Sequence, residues 1–451
     1  MKPSDQSNIT KPSQRDLSVP TTENTEAGSN ITRVSRRKLR EERDKKPLHG
    51  LTHLNDGRAG RKDKKGSAQH PLQRLQRARE DGSVYLHPLR YVLKNASKGR
   101  GASSNLRKQI AGNLASGPTS DTVQLFSSSI EGGVGKQTDQ IFRHDVLFNS
   151  QSDKRSFVEK IIQPDYDRSI LRPWAQEAIV YKKLSEEKEP FGLLVPSFYG
   201  MSVYRFNRIS FFIDYLEGYH SPTSLEEWKR VAYALGEFGG WGSVKGRWKA
   251  SWLPRGTELR LKPAQTLQAW EQFGGASPSF RDVHNNYRFL ADNFNLAVQL
   301  YEQLPSTICH ADPNPQNIFV SSGSPSVFLI DWERVSRGKI ADDLVLIYLP
   351  QNLLLHGGMN LEEFLALEES MIASYTSGVL AHAKGVDGKE VVRIYSILNC
   401  VAMMRWLGRG VQMRESMQGL LKEFPERVET FQRYIAHQSH RAREALEAEK
   451  N

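Results

Sequence analysis

Between Thr307 and Asp343 lies a run of side chains able to hold a metal and accept a proton. His310-Ala311-Asp312 is followed by Asn317, a spacing of H-x-D-x4-N, and the short apolar run Val327-Phe328-Leu329-Ile330 ends on Asp331-Trp332-Glu333. Ile318-Phe319-Val320 is apolar and β-prone. Ser321-Ser322-Gly323-Ser324-Pro325 has the composition of a turn, so the stretch reads as two short strands around it. Asp312 and Asn317 then sit on the loop entering the hairpin, and Asp331 sits just past its exit. That brings two carboxylates and one amide oxygen to the same end. Mg2+ prefers such hard oxygen donors and commonly takes one or two carboxylates together with substrate phosphates. Phosphoryl transfer calls for this set: one carboxylate orients or deprotonates the attacking hydroxyl, while an amide and a second carboxylate hold the metal that neutralises phosphate charge.

The order of base, Asn and strand-borne Asp matches the arrangement of protein kinases. The details depart from it: Ala311 replaces the Arg of H-R-D, Trp332-Glu333 replaces the Phe-Gly of D-F-G, and A-P-E is not found. In these respects the stretch resembles the aminoglycoside phosphotransferase and choline kinase family, whose usual form is close to H-G-D-x-x-x-x-N followed by I-D-[WFY]-[ED]. Ala311 stands where that family usually has Gly. The resemblance implies Asp312 as catalytic base, Asn317 and Asp331 as metal ligands, and Glu333 as a neighbouring or second-metal group. It implies a bilobal, protein-kinase-like α+β fold, with an antiparallel-sheet N-lobe and a mostly helical C-lobe, that uses ATP and Mg2+.

The elements that must position these groups lie upstream. Val123-Gln124-Leu125-Phe126 reads as a strand, Ser127 to Lys136 as a glycine-rich turn and Val146-Leu147-Phe148 as a returning strand. Gly133 and Gly135 give the turn a backbone able to approach phosphates, though Gly-Lys is followed by Gln137, which excludes a Walker A loop. Arg155 to Ile162 is a strand with Lys160 among apolar neighbours, the layout of the kinase Lys that pairs the α/β-phosphates. The stretch 170–187 has Ile170, Leu171, Trp174, Ala178, Tyr181 and Leu184 near helical spacing. It carries Glu177, the expected partner of Lys160. Phe211 to Gly218 reads as a buried strand entering a linker. By the family resemblance, the backbone at Asp214, Tyr215 and Leu216 reads the adenine edge.

The second lobe opens with a capping box, Ser224-Leu225-Glu226-Glu227. Glycines from Gly236 to Gly246 predict a helix break. Residues 281–303 predict one longer helix leading to the catalytic loop. Leu361 to Tyr375, Val391 to Leu407 and Phe424 to about Ala448 predict three more amphipathic helices. Asp342 and Asp343 are placed either to brace the catalytic loop or to sit as acids at a helix start.

Of the 451 residues, the first 110 hold 25 Lys/Arg against 11 Asp/Glu, so the formal charge of +11 belongs to the N-terminal segment and the remainder is near neutral. Residues 1–80 are polar with few large apolar side chains, which predicts a disordered basic tail. Contact of this tail with nucleic acid or an anionic surface is not favoured, because no aromatic residues interleave with its charge. Residues 81–119 read as a linker or accessory segment, 120–218 as the N-lobe and 219–451 as the C-lobe with the catalytic loop. Two isolated cysteines, Cys309 and Cys400, make neither a disulfide framework nor a zinc site and fit a reducing cytoplasm. No run of 18 apolar residues predicts a membrane span.

The sequence thus leads to an ATP-dependent phosphotransferase acting on a hydroxyl of a small molecule. The alternative is a catalytically inactive scaffold of kinase shape working through the basic tail. The acceptor stays open among aminoglycoside-, choline- and sugar-like molecules. Glu362-Glu363 and Glu368-Glu369 are the acidic pairs available to a polycation, and no aromatic cage for a quaternary ammonium is identifiable from spacing.

Overall fold

The computed structural model describes residues 96–98, 102–114, 124–130, 138–147, 154–162, 168–187, 192–204, 208–244, 253, 281–407 and 422–450. The expected tail, most of 81–119, and Gly133 and Gly135 lie outside the described residues.

Seven strands precede the helical lobe: β1 (Ser97–Lys98), β2 (Gln124–Ser129), β3 (Thr138–Leu147), β4 (Lys154–Ile162), β5 (Leu193–Leu194), β6 (Phe198–Tyr204) and β7 (Arg208–Asp214). Six of them form one sheet in the order β1-β6-β7-β4-β3-β2. All neighbours run antiparallel except the two-residue β1–β6 contact. Alternation along β4 sorts its two faces. Phe157, Glu159 and Ile161 lie on the outer face, while Ser156, Val158 and Lys160 face the helical lobe.

Helix α1 (Ala102–Leu114) covers the outer face. Its Leu106, Ile110 and Ala111 pack against Val146, Phe157 and Phe212. Ser103 at its start donates to Glu159 Oε1 at 2.7 Å, and the ring of buried His144 lies 3.0 Å from Glu159 Oε2. This gives residues 102–114, which had no role from sequence, a packing role in the sheet lobe.

Helix α2 (Arg168–Ser185) follows β4 and buries Glu177, Ala178, Ile179, Val180 and Tyr181. After β7 the chain crosses to the helical lobe through residues 215–224. His220 and Val320 exchange backbone hydrogen bonds at 2.8 and 2.9 Å along that path. The predicted capping box is present: the Ser224 side chain accepts from the Glu227 N–H, and Glu227 returns to the Ser224 N–H, at the start of α3 (Leu225–Ser243).

The glycines from 236 onward do not break this helix, contrary to expectation. A methyl group on Gly236 would overlap the Tyr375 carbonyl, and one on Gly240 would sit 2.5 Å from the Val379 carbonyl. The glycines let α3 pack backbone to backbone against a later helix, and that close contact outweighs their low helix propensity. The single helix expected over 281–303 is two, α4 (Arg281–Asp292) and α5 (Phe294–Gln303). They part at Asn293, whose Nδ2 donates to the Phe289 carbonyl at 2.7 Å.

Four strands then frame the predicted catalytic stretch: β8 (Ser306–Cys309), β9 (Ile318–Ser321), β10 (Ser324–Leu329) and β11 (Ser336–Lys339). β9 and β10 form the expected antiparallel hairpin, β5 adds parallel to β10, and β8 pairs antiparallel with β11. The chain continues through α6 (Asp342–Val345), a π-helical turn Gln351–His356, α7 (Leu361–His382), α8 (Gly388–Leu407) and α9 (Pro425–Glu447). The helix against which the α3 glycines pack is α7.

Glu368 on α7 is only 4% exposed. Its two oxygens accept from Tyr395, Tyr434, Asn399 and Gln438 at 2.6–3.2 Å, with Arg441 at 3.4 Å. It therefore locks α7, α8 and α9 together and is not an acidic group offered to an acceptor. Met403 and Met404 on α8 are buried in the same core. Among the described residues, no helix is long and apolar enough to cross a membrane.

Candidate active site

The catalytic stretch is held from below by α6. The Asp343 carboxylate accepts the His310 N–H and the Ala311 N–H, each at 2.8 Å. Burial pushes the Asp343 carboxyl up to about 6, against those two amide donors. Neighbouring Asp342 accepts from the Tyr301 hydroxyl at 2.8 Å and the Lys339 N–H at 2.9 Å. Of the two roles open to this acidic pair, Asp343 thus takes the brace.

His310 is fully buried. Its Nδ1 accepts the Asp312 N–H at 3.2 Å and its Nε2 donates to the Ile330 carbonyl at 2.8 Å. One nitrogen acceptor and one donor make a neutral imidazole. Burial likewise holds its pKa down. The ring meets the edge of buried Trp332, centroids 4.5 Å apart. His310 is thus a structural pin between the loop carrying Asp312 and the strand end carrying Asp331.

Ala311 has φ 63, a left-handed backbone in which an L-residue is strained. This is the position where the related pattern usually has Gly, and the geometry supplies the reason.

Asn317 ends a short turn, Pro315–Asn317, entering β9. Its Nδ2 donates to the Asp312 carbonyl at 2.9 Å, and its own carbonyl accepts the Ile330 N–H at 3.0 Å. The side-chain amide is fixed by its nitrogen, so its oxygen is the end left to face a ligand. Asp312 carries Asn314 Nδ2 at 3.4 Å on one oxygen and Arg334 Nε at 3.5 Å on the other.

Asp331 also has a left-handed backbone, φ 65 and ψ 55, at the step from β10 into the turn Trp332–Arg334. Its Oδ1 accepts from Lys160 Nζ at 2.6 Å, and the same ammonium donates to both Glu177 oxygens at 3.1 and 3.2 Å. Burial works against the Lys160 charge, but the Glu177 and Asp331 carboxylates outweigh it and hold the ammonium protonated. Burial, with Asp331 as a second carboxylate nearby, pushes Glu177 up to about 7 despite its bond to Lys160. Glu333 is raised as well, by burial and then by Asp331. Lys160 and Asp312 also act on it electrostatically, which places it within the same charged group.

The structure therefore brings Lys160 and Glu177 to Asp331 at the end of β10, with Asn317, Asp312 and Glu333 on the adjoining loops. The linker is more mixed. The Asp214 N–H donates to the Ser197 carbonyl at 3.0 Å and the Tyr215 N–H to the Ser156 carbonyl at 3.3 Å, so both amides are engaged in the sheet. The Leu216 carbonyl accepts the Tyr219 N–H at 3.3 Å, while the Leu216 N–H meets no acceptor among the described residues. The Tyr215 ring carries the Arg143 guanidinium at 4.0 Å, and the Tyr199 hydroxyl donates to the Asp214 carboxylate.

Arg334 and Tyr181 were missed by sequence reasoning. Arg334 follows the recognised pattern directly and could have been noticed there. Tyr181 looks in sequence like any apolar residue on a helix face, and only the fold sets its hydroxyl 3.1 Å from the Asp331 N–H. Among the described residues, no group of three or more His, Cys, Asp or Glu has the arrangement of a metal site.

Residues 192–363 match the phosphotransferase enzyme family. No curated protein matches the chain. Among solved structures, an aminoglycoside phosphotransferase from Alicyclobacillus acidocaldarius is similar at 12% identity, covering 69% of this chain and 92% of its own, with a TM-score of 0.42. An aminoglycoside-3'-phosphotransferase of type VIII is similar at 16% identity, covering 66% and 97%, with a TM-score of 0.36. An ethanolamine kinase from Plasmodium vivax is similar at 14% identity, covering 67% and 84%, with a TM-score of 0.33. The stretch that is similar to the phosphotransferase enzyme family, residues 192–363, includes His310, Asp312, Asn317 and Asp331.

Proposed function

We propose that the protein transfers the γ-phosphate of ATP, with Mg2+, to a hydroxyl group of a small molecule. The observation that carries this reading is the Lys160 ammonium, held by Glu177 on α2 and by Asp331 at the end of β10 at 2.6–3.2 Å. A half-buried ammonium fixed between two carboxylates beside a free amide oxygen is a ready site for a polyphosphate and its metal.

The donor set fits Mg2+. Asp331 offers a carboxylate a third exposed, and Asn317 offers the oxygen of an amide whose nitrogen is already tied down. Two protein oxygens suffice for a metal that completes its shell with phosphates and water. When bound, the metal neutralises charge on the β- and γ-phosphates. Lys160 holds the α/β-phosphates, with Glu177 steadying its position. Asp312 orients the acceptor hydroxyl and takes its proton, and its loop is kept in place by Asp343 and His310. The Leu216 amide is the linker group free to meet the adenine edge, with Asp214 and Tyr215 shaping the wall beside it. Glu333 lies next to the metal side of the site. Catalysis rests mainly on positioning and charge neutralisation.

Division of the chain at 218/219 follows from the same reading. The two cysteines, both buried and neither in a disulfide, support a reducing cytoplasmic setting.

The experiment is calorimetric binding of ATP with and without Mg2+, on wild type and Asp331→Asn. Metal-dependent binding lost in Asp331→Asn is the expected result. No ATP or GTP binding by folded wild type overturns the reading.

A further inference from the structure

The peptide unit between Ile330 and Asp331 is gripped at both ends. Its carbonyl accepts from His310 Nε2 at 2.8 Å, and its N–H donates to the Tyr181 hydroxyl at 3.1 Å. The two grips come from different lobes. His310 belongs to the loop after β8, and Tyr181 belongs to α2.

Tyr181 is itself fixed. Its ring is 1% exposed and stacks on Phe198, with centroids 6.4 Å apart and planes within 9°. Glu177 lies one helical turn earlier on the same face of α2. It acts on the Tyr181 hydroxyl, which burial and that carboxylate hold firmly protonated. Helix α2 therefore touches Asp331 twice: by its main chain through Tyr181, and by its side chain through Glu177 and Lys160.

Asp331 needs such support, because its φ of 65 is a conformation that L-residues rarely hold without it. Turning the 330–331 peptide over would take Asp331 off the left-handed backbone on which its carboxylate is set. It would also break the bonds to His310 and Tyr181 together, leaving a buried donor and a buried acceptor unpaired.

We propose that Tyr181 is a positioning residue for Asp331. By accepting the Asp331 N–H, its hydroxyl holds the carboxylate at the angle at which the metal side of the site is complete, and it makes that angle depend on the seating of α2. This rests on the phosphotransferase reading of the site. A phenylalanine would keep the ring against Phe198 and remove only the acceptor, so the role separates cleanly from packing.

The test compares wild type and Tyr181→Phe in two measurements. In calorimetry, the gain in ATP affinity conferred by Mg2+ is expected to fall roughly tenfold in Tyr181→Phe, the worth of one buried hydrogen bond. ATP binding without metal should change by less than about twofold. In hydrogen exchange on nucleotide-free wild type, the Asp331 amide is expected to be as protected as the amides of β10, and to exchange at least about tenfold faster in Tyr181→Phe. A merely structural tyrosine would lower stability without moving the metal-dependent part of binding.

Wild type that binds Mg-ATP, with Tyr181→Phe gaining as much from the metal, overturns this inference and leaves the proposed function standing. Wild type with no metal-dependent ATP binding overturns both. If Tyr181→Phe fails to fold, the wild-type exchange rate decides: an Asp331 amide exchanging as in an open chain overturns the inference, and a protected one supports it.

Discussion

Replacing Ala311 by glycine should stabilise the protein, and replacing it by valine should destabilise it. Ala311 sits between His310 and Asp312 with φ 63, and its N–H donates to Asp343 Oδ1 at 2.8 Å, so the backbone there is held in the left-handed region by a bond it cannot easily give up. A left-handed backbone costs an L-residue roughly 1–2 kcal/mol. Glycine adopts it freely but loses more freedom on folding, at a cost of roughly 0.5–1 kcal/mol. The difference leaves Ala311→Gly more stable by about 0.5–1 kcal/mol. For a folded body of this size that is a rise of about 1–3 °C in Tm. Valine adds a β-branched side chain in a region where such residues are outliers, so Ala311→Val should lose a further ~1–3 kcal/mol. The assay is denaturant and thermal unfolding of the three proteins side by side. The order Gly above Ala above Val is expected, with turnover of the glycine variant close to that of wild type. A Tm that falls by a degree or more in Ala311→Gly would refute the reasoning, because the loop would then draw stability from the methyl group rather than bear strain from it.

Other substitutions probe separate parts of the structure. Asp312→Asn should abolish phosphoryl transfer while leaving Mg-ATP binding by calorimetry unchanged, since Asp312 is assigned to the acceptor; unchanged turnover removes it from the base role. Gly236→Ala drives a methyl group into the Tyr375 backbone carbonyl and should cost about 3 kcal/mol in urea unfolding, the upper end for overpacking because backbone has to move. A loss under about 1 kcal/mol would show that α3 and α7 can part cheaply. Glu368→Ala strips the acceptor from two tyrosine hydroxyls, two amides and Arg441 in the core, and about 3–5 kcal/mol of stability should go with it. A near-neutral result would mean that water takes the carboxylate's place.

The grouping of the candidate site residues was readable in the sequence because they are either close together or strand-bound. Asp312, Asn317 and Asp331 flank a single hairpin, and a hairpin brings its ends together by local pairing alone. The capping box at Ser224 and Glu227 was readable for the same reason, being a motif closed within four residues. Lys160 and Glu177 were placed by order along the chain, and their bond awaited the fold, which brings Glu177 on α2 to Lys160 on β4.

Other features were decided only by tertiary contact. Gly236 and Gly240 look like a helix break until α7 is seen to need their bare backbone, since packing overrides propensity when two helices approach this closely. Glu368 reads as a surface acid until the donors of α8 and α9 surround it. As an alanine, Ala311 does not itself announce a left-handed backbone, which Asp343, 32 residues further on, holds through hydrogen bonds from the His310 and Ala311 amides. Tyr181 is an apolar position by periodicity, and its hydroxyl gains a role only where Asp331, 150 residues away, presents an amide to it. Local periodicity and short motifs report what neighbours in the chain can do. Which buried polar group finds which partner depends on elements distant in sequence, and it is settled by the requirement that such groups not be left unpaired.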